Sequence, residues 1–147
     1  VVSAVAMLML LAGQTAMFAD AASVIFILLF MYACTTIAFG PKGLVKSILG
    51  LRYLFTQKII PSPASNLLAI IFRKQIYFIY GSALVGVLIG SVAIHANIDT
   101  YEDFVFHRAY AVNLLVLFYA AVVAEGILRP LATKFEMANI NEQLSDS

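Results

Sequence analysis

Charge is missing from four long stretches of this chain. No Asp, Glu, Lys or Arg occurs over residues 1–19, 21–41, 75–94 or 109–124. A helix rises 1.5 Å per residue, so about 20 apolar residues cover the ~30 Å hydrocarbon core of a bilayer. The first three stretches are about that long, and Gly126, Ile127 and Leu128 carry the fourth past Glu125. Hydrophobic residues make up 63% of the chain and charged ones 12%. It reads as an all-α integral membrane protein with four transmembrane helices, paired as two hairpins and joined by a short amphipathic helical loop. The expected boundaries are 1–40 for the first hairpin, 41–75 for the loop, 76–131 for the second hairpin and 132–147 for a tail.

The charges that exist are segregated. Lys42, Lys46, Arg52, Lys58, Arg73 and Lys74 fall between the hairpins, with no acid among them. The second hairpin's tip carries Asp99, Glu102, Asp103 and Arg108, and the first carries only Asp20. Lys and Arg in short loops stay cytoplasmic. The loop and both termini are therefore expected in the cytoplasm, with the two tips outside. The first apolar run has no basic segment before it and is taken as a retained helix. Within the loop, Leu44, Ile48, Leu51 and Phe55 repeat at helical spacing beside Lys42, Lys46 and Arg52, the pattern of a helix lying on a membrane surface. Pro61 and Pro63 interrupt it. A second short helix is expected to start at Ser65 or Asn66 and run on through Arg73 and Lys74. The tail is expected to stay helical for a turn or two.

The net charge of +1, without a basic cluster interleaved with aromatics, gives no reason to expect a nucleic-acid partner. The single cysteine, Cys34, lies mid-span and reads as a packing residue. No catalytic constellation, cofactor loop or metal set is legible, so no enzymatic role is expected. His95 and His107 read as interfacial histidines rather than a metal pair. Glu125 is the one acid inside an apolar helix, with Arg129 at i+4 in the favourable orientation, which favours an ion pair at the cytoplasmic end over an ion relay. Serines and threonines in spans can bond their own helix, but Asn113 is costlier to bury and is expected to face another helix or water. Ser82, Gly86 and Gly90 recur every fourth residue. That spacing is the ordinary device for close helix packing in membranes.

The order of these features resembles the flagellar motor stator family, MotA and its sodium-driven relatives, within the MotA/TolQ/ExbB proton channel clan. Residues 13–44 resemble the family's opening hairpin through Gly13, Phe18, Asp20, Ser23 and Phe39-Gly40-Pro41. Residues 81–104 resemble its glycine-rich third helix and outer loop. Residues 111–136 resemble its fourth helix through Ala111-Val112, Tyr119, Pro130-Leu131-Ala132 and Lys134. The resemblance implies a bacterial inner-membrane subunit of an ion-driven motor or proton/cation channel. It implies a homo-oligomer, a pentameric ring around a single-span MotB-like partner that carries the proton-accepting aspartate.

The chain departs from that family in two ways. Tyr80 stands where the family has a proline, Val87 where it has a threonine, and Val116 and Leu117 where it has a threonine pair. The cytoplasmic loop is far shorter than the family's rotor-engaging domain. The resemblance therefore sets Gly86, Gly90, Val87, Val116, Leu117 and Tyr80 as partner-facing residues, with Ser91, Asn113 and Ser82 as the polar groups left for an ion path. The alternative reading is a non-conducting structural ring or accessory subunit of a larger assembly.

Overall fold

The computed structural model describes residues 20–55, 59–97 and 103–145, with side chains of the last stretch described for 105–140. The expected first helix, 1–19, lies outside the described residues. What is described is all-helical, with three segments long and apolar enough to cross a membrane: Ala21–Leu54, Pro63–Ala96 and Val105–Ile140. An 18-residue stretch of each has a mean hydropathy of 2.2, 1.9 and 2.1 respectively.

Helix α1 (Ala21–Gly50) begins at Asp20, whose carboxylate accepts from the Ala22 and Ser23 backbone amides and the Ser23 hydroxyl. Its N-terminal cap also satisfies donors that a helix start leaves unpaired. Gly40 interrupts α1 at φ 71° and ψ 174°, a backbone conformation open to glycine and poorly open to any residue with a Cβ. Pro41 follows and supplies no amide hydrogen to resume the ladder. The second arm then runs to Gly50 and ends in a short 3₁₀ turn, Leu51–Leu54.

Helix α2 (Pro63–Ala96) is uninterrupted. It starts one turn earlier than the sequence suggests. Ser62, not Ser65 or Asn66, is the N-cap: Ser62 Oγ accepts from the Ser65 amide at 3.1 Å, and the Ser62 amide donates to Ser65 Oγ at 2.9 Å. Pro63 occupies the first helical position, where a missing amide hydrogen costs nothing. Ser62→Ala removes one side of this reciprocal cap and should cost about 1 kcal/mol of local stability, seen as roughly fivefold faster hydrogen exchange at the Ser65 amide.

Helix α3 (Asp103–Val123) passes through a π-helical segment, Ala124–Leu128, into helix α4 (Arg129–Ser145). The Arg129 amide donates five residues back to the Ala124 carbonyl, and Pro130 beside it has no amide hydrogen to give. The tail thus continues as helix well beyond the expected turn or two.

Two ends of the bundle can be told apart. At one, His95 of α2 meets the Phe106 ring of α3 at 6.2 Å. At the other, Phe72 of α2 stacks on Phe135 of α4 at 5.8 Å, and Tyr53 meets Phe135 edge-on at 5.3 Å. Helix α1 therefore runs parallel to α3–α4, with α2 antiparallel to both. Ile27 and Met31 of α1, Ile79 and Ala83 of α2, and Ala120, Ala124 and Leu128 from the third chain segment fill the core.

The segment read as a separate surface loop is divided differently in the structure. Residues 43–50 belong to α1, and 63–74 to α2. The face this second arm of α1 buries is Gly43, Ser47 and Gly50, while Ile48 and Phe55 point outward, Phe55 at 92% exposure. A Cβ at Gly50 would come within 2.9 Å of the Phe72 ring, so the glycine sets how closely α1 and α2 approach.

Candidate functional site

Between α2 and α3, near the start of α1, lies an open groove of about 630 Å³. Gly86, Gly90, Ala93 and Ile94 form one wall and Val112, Asn113 and Val116 the other, and Phe26 of α1 also lines it. Such apolar clefts with a few placed polar groups are the usual form of a binding site. The walls come from close packing. A Cβ on Gly86 would sit 3.0 Å from both Phe26 Cε1 and Val116 Cγ1, so three helices meet over that bare Cα.

Asn113, one of the groove's polar residues with Ser23 and Arg108, is 8% exposed. Its Nδ2 donates to the Val87 carbonyl at 3.2 Å and to Ser91 Oγ at 3.0 Å. A Cβ at Gly90 would overlap Asn113 Oδ1 and come within 2.8 Å of its Cγ. Gly90 is thus the space into which the amide fits. Asn113 and Ser91, two of the three expected ion-path residues, are brought together. Ser82, the third, is fully buried and donates to its own helix at the Ile79 carbonyl, 2.7 Å away.

The residues expected to face a partner are not on one surface of the single chain. Gly86, Gly90 and Val116 are used in contacts between α1, α2 and α3. Val87 is half-buried, and Leu117 is 41% exposed. Tyr80 lies elsewhere, donating its hydroxyl to Glu125 Oε1 at 2.9 Å. Glu125 in turn accepts from Arg129, with Nη2 to Oε1 at 2.8 Å. The i,i+4 ion pair read from the sequence therefore closes across the π-helical segment, and Tyr80 ties it to α2. A second pair, Arg73 to Glu136 at 2.7 Å, links α2 to α4 nearer the Lys/Arg-rich end.

Two polar arrangements escaped the sequence reading. Tyr119 reaches across to α1, where its hydroxyl oxygen accepts from the Asp20 amide at 2.8 Å. Gln75, 1% exposed, donates from Nε2 to Thr35 Oγ1 and to Ser47 Oγ, each at 3.1 Å. Compared with known proteins, the chain matches no family model, no curated protein and no solved structure.

Proposed function

We propose that this chain is a MotA-like subunit of an ion-driven membrane motor or proton/cation channel, with five copies around a single-span partner helix. The open groove carries this reading. It is an open apolar cleft along α2 and α3, with Ile89, Ala93, Val105 and Val112 among its lining, a form that can take an apolar partner helix. In this reading the protein sits in a bacterial inner membrane with its Lys/Arg-rich end in the cytoplasm. Asn113 and Ser91 stand beside the ion's route, and no covalent chemistry is performed.

A second reading, a non-conducting ring or accessory subunit, is favoured by one observation. Both amide hydrogens of Asn113 and the Ser82 hydroxyl are already committed within the chain. Groups so engaged are poor replacements for an ion's hydration shell.

Native mass spectrometry of the complex, extracted in mild detergent, tests the architecture. A five-copy ring retaining a single-span protein is expected, and Ala93→Leu, at an exposed position of the groove, should lose that protein at least tenfold. A homo-oligomer with nothing bound would sink the motor reading. Ion flux in reconstituted vesicles separates the two readings: conduction abolished by Asn113→Leu supports the first, and a tight membrane supports the second.

A further inference from the structure

Helix α1 is two arms joined at one residue. At Gly40 the helix ladder lapses, and Pro41 cannot restore it from its own nitrogen. The regular helical geometry therefore does not carry through from arm 21–39 to arm 41–54. The second arm rests on α2 through Gly43, Ser47 and Gly50, a face with little side chain to grip. The polar contact that spans the break comes from α2. Gln75 Nε2 gives one hydrogen to Thr35, five residues before Gly40, and the other to Ser47, seven residues after it.

Both acceptors are held in position. Thr35 Oγ1 donates its own hydrogen to the Met31 carbonyl at 2.8 Å, and Ser47 Oγ donates to the Leu44 carbonyl at 2.9 Å. Each hydroxyl is thereby tied to its own arm, with a lone pair left for the amide. All three residues are almost wholly buried. A buried primary amide whose two hydrogens go to opposite sides of a helix break is a geometric constraint on that break. The same region of α2 also engages the other irregular helix: Tyr80, about 8 Å further along at 1.5 Å per residue, holds Glu125 of the π-helical segment.

We propose that Gly40–Pro41 is a hinge and Gln75 its latch. While the amide bridges Thr35 and Ser47 the two arms keep one angle. When it lets go, residues 41–50 pivot between Gly40 and the turn that Phe135 and Lys134 hold through Tyr53, without unfolding arm 21–39. Hinges of this kind concentrate large φ/ψ changes in a few residues.

The test uses the full chain in lipid nanodiscs, with Cys34→Ala as background. Spin labels at Lys46 and Leu84 report the second arm against α2, and labels at Leu29 and Leu84 report the first arm; all three positions are exposed. Gln75→Leu should broaden the Lys46–Leu84 distance distribution at least twofold and leave Leu29–Leu84 unchanged. An unchanged Lys46–Leu84 width overturns the proposal. Equal broadening of both pairs also overturns it, because Gln75 would then support the whole bundle. If Gln75→Leu does not fold, Thr35→Val and Ser47→Ala each remove one acceptor and should broaden Lys46–Leu84 to a smaller extent. No broadening in either variant rejects the latch.

Discussion

Phe135→Ala is expected to destabilise the protein by about 3–5 kcal/mol, the range for deleting a fully buried phenylalanine. Phe135 is 1% exposed and stands at the centre of the Lys/Arg-rich end. It stacks on Phe72 of α2 and receives the edge of Tyr53 from the turn after α1. Aromatic pairs of this kind add about 0.5–1.5 kcal/mol each beyond the area they bury. Three chain segments lose their common contact in a single change. The neighbouring bond from Lys134 Nζ to the Tyr53 carbonyl, 2.8 Å, cannot replace that packing. Equilibrium unfolding in mixed micelles measures the loss. Phe135→Leu, which keeps most of the volume, should cost less than about 1.5 kcal/mol. Equal effects from the two variants would show that ring stacking, not cavity formation, dominates.

Gly90→Ala should cost about 2–4 kcal/mol, more than a single methyl usually does. The new Cβ overlaps Asn113 Oδ1, so the amide must leave its place. Overpacking contributes about 1–3 kcal/mol. Stranding a buried amide away from the Val87 carbonyl and Ser91 adds about 1–3 kcal/mol before the bilayer discount. Hydrogen bonds between membrane helices average only about 0.6 kcal/mol, so the steric part decides the outcome. This gives a sign test. Asn113→Ala alone should cost about 1 kcal/mol. Combined with Gly90→Ala it should recover most of that variant's loss, a favourable coupling of about 1–3 kcal/mol in a double-mutant cycle. Strict additivity would mean that Asn113 does not occupy the space over Gly90.

Much of the fold can be traced to charge placement, because a charge-free run near 20 residues admits few structures but a spanning helix. The pair Glu125–Arg129 was also legible, since both partners lie on one helix four residues apart. Asn113 was recognised as needing a neighbour, but the neighbour depends on register between helices, which spacing along one helix does not encode. Helix 41–50 was read from its large apolar residues, yet it packs by its small ones. Small residues let its backbone come close to the Leu68 and Phe72 side chains of α2, and that close packing gains dispersion. Gly43, Ser47 and Gly50 carry nearly the same spacing as Ser82, Gly86 and Gly90, and the same rule applied to both would have oriented the arm. Gln75 passed as the edge of a charge-free window. Its signal was the cost of an amide at the head of an apolar helix, with Thr35 and Ser47 as available acceptors.

Of the three long apolar segments, only Pro63–Ala96 is one regular helix from end to end, and its 34 residues measure about 51 Å at 1.5 Å per residue. A bilayer of ~30 Å covering its charge-free part, 75–94, leaves roughly 18 Å of it in water at the Pro63 end. The consequence is mechanical. A rod held in lipid and projecting from it is a lever: a tilt of about 10° within the bilayer, well inside the 0–40° range of spanning helices, displaces the far tip by roughly 3 Å relative to the membrane surface. Ser65 near that tip donates to Asn139 of α4 at 2.6 Å, so the displacement is handed directly to the neighbouring helix.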